Sequence, residues 1–142
     1  MPNWTRVLSN CIFACALLCI TSCGRATCDE DHPDVAVARN LPDEDLAELF
    51  AEAEKVLKHP PSNIDEIPIK TNLPRFDVST PAFRNFSDGF ASIMLAGCFD
   101  HGVYMRLEDI NRETGRVVLS WGEGPFRGEQ ILWSKSKRHI DQ

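Results

Sequence analysis

Beyond a short apolar leader, this 142-residue chain shows helical periodicity once and strand periodicity thereafter, an order that restricts its fold class more than any other feature. Leu41, Leu46, Leu49, Phe50, Ala53, Val56 and Leu57 recur at spacings of three and four and form one apolar stripe. Pro42 suits a first turn. Asp43, Glu44 and Asp45 lie where the helix dipole favours negative charge, and Lys55, Lys58 and His59 where it favours positive. Pro60 and Pro61 end the helix, because proline has no N–H to donate and clashes with the preceding turn.

Prolines at 60, 61, 68 and 74 leave Ile67 to Ile69 and Phe76 to Val78 as edge pieces at most. Phe90 to Phe99 is a nearly continuous apolar run and reads as a strand buried on both faces. Val103, Met105 and Leu107 then alternate with Tyr104, Arg106 and Glu108, the period of a half-buried strand. Asp100-His101-Gly102 reads as a tight turn between the two, with Gly102 free to take positive φ. Asn111 to Gly115 predicts a type I turn with Gly115 left-handed, joining Tyr104–Asp109 to Arg116–Trp121 as a hairpin. After glycines 122, 124 and 128, Gln130 to Ser134 returns as a last strand. The expected fold is α+β: one N-terminal amphipathic helix on an antiparallel sheet of four or five strands, spanning residues 41–142 as a single domain.

The leader addresses the chain. Arg6 precedes an apolar run from Val7 to Ile20, which matches the core of a secretory signal and falls short of the roughly 20 residues a membrane span needs. The run closes on Ile20-Thr21-Ser22-Cys23. This resembles the lipobox of bacterial lipoproteins, and the resemblance covers Met1 to Gly24. It implies a signal peptide over 1–22 and a Cys23 that carries lipid and begins the mature protein, placing the chain in the cell envelope with the bilayer as a partner. Gly24 after that cysteine resembles the signal for outer-membrane sorting in Gram-negative lipoproteins. The competing reading is cleavage after Ala26, which follows Gly24-Arg25 and would release a soluble secreted protein. Residues 23–40 are acidic, contain Pro33 and read as a tether.

Cys11, Cys15, Cys19 and Cys23 fall four apart on one helical face, which cannot wrap four ligands around an ion, so no metal is assigned to them. Outside the leader only Cys28 and Cys98 remain. An even pair in an exported chain is read as a disulfide, worth about 4 kcal/mol for a loop of about 70 residues in the chain-entropy model.

Charge narrows the partners. The net charge of −6 is concentrated early: residues 23–66 hold twelve acids against four bases, and residues 67–142 hold nine against ten. Nucleic acid demands a basic footprint, so it is not expected. Catalytic groups are not expected either. His32, His59, His101 and His139 share no ligand or triad spacing, no G-x-S-x-G elbow occurs, and Gly122-Glu123-Gly124-Pro125 puts an acid and a proline where a phosphate loop needs free N–H groups. Asp29, Glu30, Asp31 and Asp34 lack the pattern of a calcium loop. The stretch with binding character is Trp121, Phe126, Arg127 and Trp133, aromatics with an arginine around a glycine-rich loop, although the favoured reading makes Trp121 and Trp133 core residues of two paired strands with Phe126 capping the sheet. The sequence thus predicts a lipid-anchored envelope protein with a non-catalytic binding domain, no cofactor and an envelope protein as its target. An inhibitor or immunity-type protein acting on a basic partner is the alternative, and a secreted hydrolase or metal enzyme is the least supported reading.

Overall fold

The computed structural model describes residues 28–60, 66–98, 101–123 and 127–136; the leader, Cys23 and Phe126 lie outside them. Among these residues, two helices, α1 (Pro33–Arg39) and α2 (Asp43–Lys58), precede six strands: β1 (Ile67–Pro68), β2 (Ala82–Ser87), β3 (Phe90–Cys98), β4 (His101–Glu108), β5 (Arg116–Gly122) and β6 (Gly128–Ser134). The strands pair antiparallel in chain order, so the sheet is a six-stranded meander. The class is α+β as expected, with six strands in place of four or five and two helices in place of one. The strand not anticipated is β2. Its alternation is broken at Asn85, where φ is 49° and the register to β3 shifts between Arg84 and Ser87.

Both helices lie on one face of the sheet. The stripe of α2 buries Leu46, Leu49, Phe50 and Ala53. These meet Ala91, Ile93, Met105, Leu107, Val117 and Leu119, which are fully buried on the inner face. Phe50 stacks against Trp133 with ring centroids 5.2 Å apart. Pro42 caps α2 without a side-chain bond, so its acidic first turn is the stabilising feature at that end. Glu52 on α2 then fastens the following segment: its carboxylate accepts from Lys70 N–H at 2.6 Å, Thr71 N–H at 2.9 Å and Thr71 Oγ1 at 2.7 Å.

The acidic stretch expected to be a tether up to Asn40 is folded from Cys28 onward. His32 Nδ1 caps α1 by accepting from Asp34 N–H, and Val35 and Ala38 are fully buried. Buried Asp34 accepts from Asp77 N–H at 2.9 Å. Arg39 lies over the Trp121 ring at 4.9 Å and donates to Gln130 Oε1 and Glu30 Oε1, both at 2.7 Å. Cys28 is bonded to Cys98 at the end of β3, closing a separation of 70 residues with Cα atoms 5.8 Å apart. Composition pointed to a solvated segment; one covalent bond and a few tertiary contacts override it.

Two turns differ from expectation. His101 and Gly102 belong to β4, paired with Cys98 and Gly97, so the β3–β4 connection is confined to residues 99–100, outside the described set. Gly102 is required for room, because a Cβ there would enter the Tyr104 ring. In the β4–β5 turn the positive φ angles belong to Asp109 (54°) and Asn111 (71°), and Gly115 is not among the positive-φ residues. Gly115 is instead a site of close approach, since a Cβ would come within 2.8 Å of Phe50 Cε1. Both sheet edges are blunted. β1 is two residues long and contains Pro68, while β6 carries a bulge at Leu132, where Trp133 pairs with Val117 and Ile131 with Val118.

Candidate binding surface

The four residues singled out around the last loop do not form one surface. Trp121 and Trp133 are buried on the helix side, beneath Arg39 and against Phe50 respectively. Arg127 is exposed, with its guanidinium 6.0 Å from the Tyr104 ring on the opposite face. Phe126 lies outside the described residues. The bulge in β6 explains the separation: it lets Trp133 turn inward while Ile131, two residues earlier, turns outward.

That outward face is the surface the structure offers. Register places Ser92, Arg106, Val118 and Ile131 in one row across β3 to β6, and Met94, Tyr104, Ser120 and Glu129 in the next. Glu108 and Arg116 form a third row with Phe90 and Ser134. The charges interlock. Arg106 Nη2 lies 3.2 Å from Glu108 Oε1 and 2.8 Å from Glu129 Oε1, and Arg116 Nη2 lies 2.7 Å from Glu108 Oε2. Towards β2, Arg84 pairs with Glu66 at 2.8 Å. Such pairs on a half-exposed face add little stability individually, but a linked set fixes side-chain positions.

Two polar atoms within this face are buried without a hydrogen-bond partner: Arg106 Nε and Ser120 Oγ. Ser120 is fully buried although it sits on the side away from the helices. An unpaired buried polar group costs about 1–3 kcal/mol and calls for a reason. Ile131, 52% exposed, is the large exposed hydrophobic residue of the described chain and lies in the same row as Arg106. A further feature is a row of glycines, Gly97, Gly102 and Gly122, facing one another across β3, β4 and β5. Tyr104 lies over Gly102 and the Met94 sulfur stands within 3.6 Å of where a Cβ on Gly97 would be, so aromatic and thioether groups fill the groove the missing side chains leave. Aromatic, arginine and methionine side chains are the types enriched where proteins meet.

The alternation of Tyr104, Arg106 and Glu108 was legible in sequence; the ladder was not, because it depends on Arg116 and Glu129 arriving beside them from later strands. Elsewhere, His101 Nδ1 lies 3.7 Å from Glu123 Oε2, and Cys28, Cys98 and His32 approach one another at the far end of β3. Three shallow depressions border α1, the 69–81 segment and the β2–β3 turn. No converging set of acid, base and nucleophile lines any of them among the described residues. No helix among the described residues is long and apolar enough to cross a membrane. Comparison of the chain with known protein families, with curated proteins and with solved structures finds no match.

Proposed function

We propose that this is a lipid-anchored protein of the cell envelope whose body is a non-catalytic binding domain, and that it engages an envelope protein through the outer face of β3–β6. The observation that carries the reading is the interlocked, partly exposed ladder of Arg106, Glu108, Arg116 and Glu129 on a regular sheet face beside exposed Ile131. A partner of complementary charge can pair with the exposed ends of Arg116 and Glu129 while covering Ile131. The lipobox ending at Cys23 supports the anchor, and the Cys28–Cys98 disulfide accords with an oxidising compartment.

The alternative, an inhibitor of a basic partner, is favoured by exposed Asp43, Glu44 and Glu48 on α2, because an acidic face steers oppositely charged proteins. Affinity capture from envelope extract with three forms of the chain distinguishes the two. Loss of the captured protein with Arg116→Glu and Ile131→Asp supports the sheet face; loss with Asp43→Lys and Glu44→Lys, and not with the first pair, overturns it in favour of the helix. Labelling with radioactive fatty acid tests the anchor: label should vanish in Cys23→Ala, and label that persists rules out the lipobox.

A further inference from the structure

We propose that Cys28 and Cys98, once reduced, form with His32 a three-coordinate site for a soft monovalent cation, with Cu(I) as the representative ion. The inference does not rest on the binding-domain reading. Each of the three residues offers one ligand atom, and these atoms all lie within 4.8 Å of one another. Cys28 is fully buried, Cys98 nearly so and His32 half-buried, and in the oxidised chain the two sulfurs are joined as the disulfide with His32 beside them. The Cys28–Cys98 pairing was legible from the cysteine count, and His32 joins it as the N-cap of α1.

Ligand type and number select the ion. Thiolates with one imidazole favour soft metals, Cu(I) and Zn²⁺ foremost. Zinc takes four ligands in a closed site or keeps a water in an open one. Among the described residues no fourth histidine, cysteine or carboxylate joins the cluster. The burial of both sulfurs disfavours a coordinated water. An ion content with two thiolates and one imidazole fits.

The chemistry balances in two steps. A dithiol reductant transfers two electrons and two protons to the disulfide, which becomes two thiols while the reductant becomes a disulfide. Cu(I) then displaces both thiol protons to solvent and binds the two thiolates, with no change in its own oxidation state. His32 makes binding visible elsewhere in the fold. Its Nδ1 accepts from Asp34 N–H at 3.2 Å and so caps α1. A neutral imidazole has one nitrogen lone pair. Coordination through Nδ1 takes that lone pair directly, and coordination through Nε2 forces the proton onto Nδ1; either way the cap is lost. The site therefore couples thiol redox state and metal loading to the start of α1.

The test uses the full chain with Cys11, Cys15, Cys19 and Cys23 replaced by serine, leaving Cys28 and Cys98 as its thiols. Reduced without oxygen, it is titrated against Cu(I) held by a coloured chelator such as bicinchoninate. The expected result is one Cu(I) withdrawn per reduced chain and none by the oxidised chain. His32→Ala should weaken binding at least about tenfold, the low end of what losing even a supporting partner does at metal sites. In a ¹⁵N spectrum the Asp34 amide should shift and exchange faster on loading. The proposal is overturned if the reduced chain leaves Cu(I) with the chelator or the oxidised chain binds it equally. It is also overturned if His32→Ala binds as tightly as the parent, which covers the case of two thiols acting in an unfolded chain. Equal or tighter binding of Zn²⁺, with a tetrahedral Co²⁺ spectrum, would refute three-coordination.

Discussion

Gly115→Ala separates two explanations for one glycine. If Gly115 served a left-handed turn, alanine would be penalised by its backbone, and nothing done to a neighbouring side chain would relieve it. Its φ is not positive, so the backbone alone would accept alanine, with a gain of about 0.4–1 kcal/mol from the unfolded state. The obstacle is Phe50: a Cβ on residue 115 would reach 2.8 Å from Cε1 and 3.1 Å from Cε2, against an ordinary contact of about 3.5–4.0 Å. The ring has little room to retreat. It is 1% exposed, Trp133 stands 5.2 Å away and Lys135 Nζ sits 5.7 Å over its face. The backbone cannot swing outward freely either, since Gly115 C=O accepts from Lys135 N–H at 2.7 Å. Overpacking of this kind costs about 1–3 kcal/mol. Phe50→Leu alone loses buried apolar area and part of the stack on Trp133, on the order of 2 kcal/mol. The double variant should be more stable than the sum of the single losses by about 1–2 kcal/mol, a coupling well above the roughly 0.5 kcal/mol scatter of independent sites. Urea unfolding followed by tryptophan fluorescence measures all four corners of the cycle. Strict additivity, or a Gly115→Ala variant as stable as the parent, would refute the steric account.

Two further outcomes follow from named contacts. Ser120→Ala should leave stability unchanged or raise it by about 1 kcal/mol in thermal unfolding, because its hydroxyl is buried without a partner; a clear loss would show that the hydroxyl is satisfied. Glu52→Ala should lower stability by roughly 1–3 kcal/mol, since it removes three hydrogen bonds to Lys70 and Thr71 that are partly solvent-screened. Limited trypsin digestion should then cut after Lys70 before any other site, and an unaltered digestion pattern would contradict that role.

What the sequence shows of this fold depends on how local each signal is. The α2 stripe and strands β3 to β5 are carried by unbroken periodicity, and the structure buries the predicted residues Leu46, Leu49, Phe50, Val103, Met105 and Leu107. Helix α1 was hidden because its seven residues contain few large apolar groups, and it is held by Cys98, Trp121, Gln130 and Asp77, all distant in the chain. Strand β2 was hidden by the break at Asn85. Trp121 and Trp133 are core residues of paired strands, as the favoured reading of that stretch has them. Trp121 and Trp133 carry interface chemistry by type, but a one-residue bulge and two facing helices turn them inward, and only the pairing order reveals that Arg106 meets Glu129.

If Cys23 is lipidated as proposed, the bridge at Cys28 also bounds how far the domain can stand from its membrane. Only five peptide units separate Cys28 from Cys23, and extended chain covers at most about 18 Å over that distance. Were Cys23 lipidated as proposed, Cys28 and the end of β3 bonded to it would stay within about that reach of the anchored residue. On that proposal, the domain's targets would be neighbours embedded in or lying on the same leaflet.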